Sequence, residues 1–361
     1  MNILFFLSSL KRTGGVERAT VALANSLLEN TSNKVFIVTL NNNADESAFP
    51  LHPNVKVFSL GIGSYKKNFF TLIFRLRRLI KKGKFDILIS VESSSLLFTF
   101  IPMLGLKSRT KLIVWEHFNF KNNNGRKSRE YFRKLASKFA DMVVTLTERD
   151  VMMWKNNLNM KAEITFAYNV SPLRNDENGY STTSRKAIAI GRYVPVKGFE
   201  RLIKIWAVMS RKYDIKDWQL QIIGFGDLKD FYLDLIDKEK CTSIVLCDGS
   251  KGTQEYFAGA GVYCMTSFFE GMPMVLIEAQ NFGIPCIAYD IYSGPSEILI
   301  ENSGILIEDN DLEKYVDELY FLIANDERRR SMSNTAFKLS TRFDAAEIVL
   351  KWQGIFANVL K

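Results

Sequence analysis

Short apolar runs alternate with helix-length amphipathic segments along this whole chain, and few folds accept that rhythm. Ile3–Leu7, Ile87–Val91, Lys111–Trp115 and Met142–Leu146 are nearly uninterrupted apolar runs. Such runs suit strands buried on both faces, as in parallel sheets covered by helices. Between and after them, Val16–Leu28, Phe69–Lys82, Ser94–Gly105, Lys127–Phe139 and Glu148–Asn156 read as helices. A second series follows, with strands at Ala187–Ile190, Gln219–Ile223, Ile244–Leu246, Gly261–Met265 and Gly304–Ile307. Its helices are expected at Phe199–Tyr213, Asp227–Lys240, Thr253–Gly259, Asp311–Ala324 and Glu327–Leu339. The expected class is α/β, with two doubly wound Rossmann-like domains built from βαβ units.

At 361 residues, two domains are the default. The Pro-, Asn-, Gly- and Ser-bearing stretch 171–184 breaks the alternation and reads as a linker. It separates an N-terminal domain, 1–170, from a C-terminal domain, 185–342. The amphipathic segment Ala345–Leu360, with Trp352 and Phe356, lies within a closing piece, 343–361, expected to pack back on the first domain. Ligands of doubly wound sheets bind outside the carboxyl ends of the strands. Loops after the strands of both domains are therefore the places to look for chemistry, in a cleft between the two.

Charge divides the chain. Residues 1–170 carry 26 Lys+Arg against 12 Asp+Glu, a net of +14, whereas residues 171–361 carry 22 against 27, a net of −5. The first half should favour an anionic partner: a membrane surface, nucleic acid or a phosphorylated acceptor. Four cysteines without a C-x-x-C spacing, and two histidines without cysteine neighbours, fit a reduced cytoplasmic chain without zinc. Met1–Leu7 reads as a first strand rather than a leader, and the apolar run Leu96–Leu106 is too short to span a bilayer.

The most informative stretch runs from Ser267 to Gln280. It is a strand exit, a Gly/Pro loop (Glu270-Gly271-Met272-Pro273) and a helix starting near Pro273. A helix N-terminus with free amides attracts anions, and Glu270 and Glu278 beside it suit neutral hydroxyls. Gly191-Arg192-Tyr193-Val194-Pro195-Val196-Lys197-Gly198 follows the first strand of the second domain, and two cations on such a loop suit a diphosphate. Gly14-Gly15-Val16-Glu17 follows the first strand of the chain and opens a helix, where glycine allows close backbone approach. His117 ends another strand. Arg75, Arg78 and Lys82 share one face of Phe69–Lys82, opposite Leu72, Ile73, Leu76 and Leu79; they form either a solvated face or a dock for lipid head groups or a pyrophosphate.

In order along the chain, these motifs resemble the retaining family 4 glycosyltransferases of GT-B fold. The E-x₇-E pair Glu270/Glu278 in its Glu-Gly-Met-Pro-Met-Val-Leu-Ile-Glu-Ala frame is the most specific part. Asp290-Ile291-Tyr292-Ser293-Gly294-Pro295-Ser296-Glu297-Ile298 resembles the subgroup that builds bacterial surface polysaccharides and lipid-linked oligosaccharides. The resemblance implies that Arg192 and Lys197 hold a donor diphosphate and that Glu278 binds ribose hydroxyls. It places Glu270 by the donor sugar and the backbone of Gly271, Met272, Pro273, Met274 and Val275 against sugar and phosphate. By the same resemblance Gly15 lines the phosphate, His117 contacts the sugar or reacting centre, and Glu17 meets the acceptor. The expected substrates are a nucleoside diphosphate sugar, UDP-linked, and a glycan or lipid-pyrophosphate-linked acceptor. No cofactor, metal or nucleic-acid partner is expected, and the site of action is the inner face of a bacterial plasma membrane. A non-enzymatic basic membrane- or nucleic-acid-binding protein would explain the charge but not the second-domain motifs. A glycosidase would explain the paired acids but not their phosphate-binding surroundings.

Overall fold

The structure is a computed structural model describing Met1–Lys361 apart from Asn124, Arg126, Arg174, Asp176, Lys216, Lys251 and Thr253. It divides into two compact units, one made of Met1–Val170 with Phe343–Lys361, the other of Ser171–Arg342.

In the first unit the elements are β1 (Asn2–Phe6), α1 (Gly15–Glu29), β2 (Lys34–Thr39), β3 (Lys56–Ser59), α2 (Phe69–Gly83), β4 (Ile87–Val91), α3 (Leu96–Met103), β5 (Lys111–Trp115), α4 (Ser128–Phe139), β6 (Met142–Thr145), α5 (Glu148–Asn157) and β7 (Glu163–Phe166). The strands form one parallel sheet in the order β3-β2-β1-β4-β5-β6-β7. The apolar runs explain this architecture: Ile3, Leu4, Phe5, Phe6, Ile87, Leu88, Ile89, Leu112, Ile113 and Val114 are wholly buried. Edge strand β7 is not anticipated from sequence, because its four residues alternate in polarity and stay half-exposed. The expected helix over Ser94–Gly105 is shorter, since Ser93–Ser95 forms a tighter 3-10 turn ahead of α3 and Gly105 adopts a left-handed φ of 72°.

In the second unit the elements are β8 (Lys186–Ile190), α6 (Phe199–Lys212), β9 (Gln219–Gly224), α7 (Lys229–Lys238), β10 (Ile244–Asp248), α8 (Gln254–Ala258), β11 (Val262–Met265), α9 (Met274–Asn281), β12 (Cys286–Asp290), α10 (Pro295–Ile298), β13 (Gly304–Glu308), α11 (Leu312–Ala324) and α12 (Asp326–Ser340). Its parallel sheet runs β10-β9-β8-β11-β12-β13. Thr253, where the short helix at α8 is expected to begin, lies outside the described residues.

The stretch 171–184 is bound to the second unit. Tyr180 donates to the Gly261 carbonyl at 2.8 Å, Asn281 Nδ2 to Ser171 Oγ at 2.6 Å, and Arg329 to the Thr182 carbonyl at 2.9 Å. Within it Arg174 and Asp176 lie outside the described residues. The closing helix α13 (Ala345–Leu360) belongs to the first unit. It packs against α1, and Trp352 meets Trp115 edge-to-face at 5.3 Å between ring centroids. Such a pair adds roughly 0.5–1.5 kcal/mol beyond the area it buries.

Both sheets reverse winding direction once, between β1 and β4 and between β8 and β11. At such a point adjacent loops leave the sheet in opposite directions and open a crevice at the strands' carboxyl ends. The loops after β1, β4, β8 and β11 thus hold the favoured ligand positions.

Candidate functional site

In the second unit, the loop after β8 and the loop after β11 meet at this reversal. Lys197 Nζ lies 2.7 Å from Glu270 Oε1, with both side chains partly exposed (20% and 15%). Backbone joins the loops too, as Phe268 N donates to the Val196 carbonyl at 2.8 Å. Thr266 Oγ1 donates to the Gly198 carbonyl at 2.9 Å. Gly198 has a φ of 61°, and a Cβ there would stand 2.2 Å from the Thr266 carbonyl oxygen. Glycine is the residue that permits both this turn and this approach. Gly191 gives the Lys197 stem its track, since a Cβ would come within 3.1 Å of Lys197 Cε. Arg192, on the same loop, is exposed.

Helix α9 begins at Met274, immediately after Pro273. First-turn amides have no intrahelical acceptor, so those of Met274 and Val275 are open to an anion. Glu278 lies one turn inside the helix and is 1% exposed. Met272 and Pro273 are buried, which fixes the backbone of the loop rather than presenting side chains. Ser293, buried, holds this loop by donating to the Glu270 and Gly271 carbonyls, each at 3.1 Å. Gly294, with a φ of 104°, would strike Pro273 Cδ at 2.4 Å if it carried a Cβ. The Asp290–Ile298 segment therefore acts as a clasp on the 270–273 loop, a role its sequence does not announce.

Arg201 is a second residue that sequence reasoning passed over. Its guanidinium stacks 4.4 Å from the Phe268 ring centroid and 4.0 Å from that of Tyr289, and it pairs with Asp309 at 2.6 Å. Asp309 and Asp311 form an Asp-x-Asp spacing, the pattern that could hold a metal beside a diphosphate. Both carboxylates are engaged, Asp309 by Arg201 and Asp311 by the Lys314 amide at 3.0 Å, where it caps α11.

In the first unit, the loops after β1, β4 and β5 bring carboxylates together. Gly15 is the exposed first residue of α1, while Glu17 is 6% exposed and folds back over Gly14. Burial raises the Glu17 carboxyl above its ordinary range, opposed by a backbone hydrogen bond and by Arg12. Glu92 follows β4 with a φ of 66°, a strained conformation for a side chain larger than glycine's. Its carboxyl is raised by burial and then by the charge of Glu116, against Arg129 and Ser94.

Glu116 is completely buried at the end of β5. Burial alone would raise its carboxyl, but Arg133 and Arg129, with Ser93 and the Phe118 amide, hold it below the usual range. Arg129 lies 3.4 Å and Arg133 3.5 Å from its oxygens. Arg133 also donates to the Asn119 and Asn122 carbonyls at 2.9 and 3.1 Å, and Arg129 stacks 3.7 Å from the Phe118 ring centroid. The cluster shapes the loop that carries His117. It escapes sequence reading because Arg129 and Arg133 look like the solvated face of a basic helix.

His117 is buried, 4.2 Å from Trp115 between ring centroids, and its Nε2 has no hydrogen-bond partner among the described residues. Burial, reinforced by Arg129 and opposed by Glu116, lowers it to about 4. Its neutral form therefore stabilises the fold above the unfolded value near 6.5, and that contribution is lost as pH falls toward 4. At 1.36 kcal/mol per unit the loss is about 3 kcal/mol. Acid titration by NMR should show one of the chain's two histidine side chains charging only near pH 4. His117→Gln should flatten stability between pH 6.5 and 4, and an unchanged acid slope would count against this burial effect.

On α2, Arg75 donates to the Leu60 carbonyl at 2.6 Å and Arg77 to the Pro102 and Leu104 carbonyls at 2.8 Å each. Arg78 and Lys82 are exposed, as is Lys81.

Comparison with known proteins finds a family match in each unit. Residues 13–170 match the family described as Glycosyltransferase Family 4, and residues 173–339 match Glycosyl transferases group 1. An uncharacterized glycosyltransferase of Haemophilus influenzae is 29% identical over 97% of this chain and 98% of its own. The amylovoran biosynthesis glycosyltransferase AmsD of Erwinia amylovora is 29% identical over 98% and 99%. A Campylobacter jejuni alpha-1,4-N-acetyl-D-galactosaminyltransferase, named for a diNAcBac-PP-undecaprenol-linked acceptor, is 27% identical over 99% of each. Among solved structures, TarM of S. aureus, crystallised with UDP and alpha-GlcNAc-glycerol, superposes with a TM-score of 0.81 at 16% identity, covering 98% of this chain and 99% of TarM. The chain has the GT-B architecture of two Rossmann-like halves, and it belongs to the glycosyltransferases, with a family 4 first half and a group 1 second half.

Proposed function

We propose that this glycosyltransferase moves a hexose or N-acetylhexosamine from a UDP-linked donor to a hydroxyl of a polysaccharide or lipid-linked oligosaccharide, retaining the anomeric configuration. The observation that carries the reading is the Lys197–Glu270 contact at the winding reversal of the second sheet, beside the open amides of α9. Lys197, Arg192 and the amides of Gly271, Met272, Met274 and Val275 would take the diphosphate, whose charge grows as the glycosidic bond breaks. Glu278 would accept from ribose hydroxyls and Glu270 from a sugar hydroxyl. In the reaction the anomeric carbon–phosphate oxygen bond breaks and a bond to the acceptor oxygen forms on the same face. The acceptor proton passes to the departing phosphate. Glu270 therefore serves binding and not nucleophilic attack.

Glu17 is the acceptor-side carboxylate in this reading, and His117 contributes a neutral imidazole to the sugar. The C. jejuni and E. amylovora relatives support acceptors of the lipid-linked and polysaccharide kinds, and UDP in the TarM structure supports the nucleotide. The acceptor would be met at the cytoplasmic face of a bacterial membrane, and Arg75, Arg78 and Lys82 lie on the helix expected to approach it. Among the described residues no helix is long and apolar enough to cross a membrane.

A panel of UDP- and GDP-sugars, followed for slow hydrolysis and then for transfer with the product anomer read by NMR, tests this. UDP-hexose or UDP-N-acetylhexosamine should turn over with an axial product from an axial donor. An inverted product, or turnover of GDP-sugars alone, would overturn the mechanism or the donor respectively.

A further inference from the structure

The outward face of α2 carries Phe70 and Phe74, 86% and 66% exposed. Four residues apart, they share one stripe of the helix. The same stripe continues into Arg78 and then Lys81 and Lys82, all exposed, while Leu72, Leu76 and Ile80 turn into the core. Lys66 and Lys67, just ahead of the helix, and Lys84, just after it, are also exposed. Helix α3 packs against α2 and adds Leu97 and Ile101, exposed at 36% and 42%, with Leu104 just after it at 44%. Arg77 fastens the two helices through the Pro102 and Leu104 carbonyls.

Solvated surface helices do not ordinarily present two bare phenylalanines on one stripe, and such patches mark contact sites. An aromatic stripe running into a row of cations matches the boundary of an anionic bilayer, where rings settle among the upper acyl chains and cations meet phosphates. We propose that α2 docks the first unit on an anionic phospholipid surface, with Phe70 and Phe74 entering the interface and Arg78, Lys81 and Lys82 meeting head groups. This deepens the proposed function, resting on it for the membrane as the meeting place with acceptor, and on the two helices alone for the contact.

Co-sedimentation of the full chain with vesicles of phosphatidylglycerol in phosphatidylcholine tests it. Binding should need the anionic lipid. The Phe70→Ser/Phe74→Ser double variant should bind about 10-fold or more weakly, with its residual binding still abolished by salt. The Arg78→Glu/Lys81→Glu/Lys82→Glu variant should bind about 100-fold more weakly and lose the salt dependence. A Phe74→Trp variant should gain, over the native tryptophans, emission quenched by brominated lipid. Equal vesicle binding by the wild type and the double-serine variant, or Phe74→Trp emission indifferent to brominated lipid, would overturn the proposal. So would a concentration-dependent dimer that the serine pair dissolves while vesicles bind nothing, because the stripe would then join copies of the chain. Donor hydrolysis in solution should be unchanged in the serine pair. Loss of membrane binding with hydrolysis intact concerns the surface, whereas absent hydrolysis in the wild type concerns the enzymatic reading.

Discussion

Lys197→Ala is expected to lower turnover of the nucleoside diphosphate sugar by roughly 10²–10³-fold, the scale of losing one preorganised donor to a developing oxyanion. The loss should fall mainly on kcat, because charge on the leaving diphosphate grows toward the transition state. Stability should change little. The Lys197–Glu270 pair is partly exposed, and such pairs contribute ~1 kcal/mol or less once screening is counted. Glu270→Gln separates the two partners. It keeps a hydrogen-bonding group for the sugar and leaves Lys197 its charge, so its loss should be smaller than that of Lys197→Ala. A Lys197→Ala enzyme within about threefold of wild type, correctly folded by circular dichroism, would remove the diphosphate role.

The largest stability effect is expected at Glu116→Ala. The substitution leaves Arg129 and Arg133 as buried cations without their shared carboxylate, and removing one partner of a buried ionic cluster costs roughly 3–5 kcal/mol. The loss should appear in the first unit as faster hydrogen exchange in β4, β5 and the 116–123 loop, with the second unit protected as before. Because the chain has two units, exchange by segment is a cleaner measure than one melting temperature. Arg133→Met should be costly as well, since the loop carbonyls of Asn119 and Asn122 lose their donor. Unchanged exchange in β4 and β5 on Glu116→Ala would show that the cluster is not a support.

The sheets were legible because their strands are buried on both faces, so solvent exclusion appears directly as uninterrupted apolar runs. The β8 and β11 loops were legible because glycine, proline and charge stand together where a strand ends, and Gly198 shows the steric reason. Edge strand β7 lacked such a run. The Ser293–Gly294 clasp was recognisable as a motif, but its work is done on Glu270 and Gly271, more than twenty residues earlier. Arg201 resembled any surface cation until Phe268 and Tyr289 closed around it. Arg75 reads from sequence as either a solvated or a docking cation, and only the fold shows that it also donates to the Leu60 carbonyl.

By itself, the sequence determined the two-sheet class and the loops at the strand ends that carry Lys197 and Glu270. Apolar period, glycine and formal charge are local properties, readable without knowing what folds against them. Tertiary structure decided which charges are spent within the fold and which face outward. It enclosed Arg129 and Arg133 around Glu116, kept His117 neutral by burial, and left Phe70 and Phe74 in the open. Desolvation and hydrogen-bond completion depend on partners distant along the chain, so only packing could assign them.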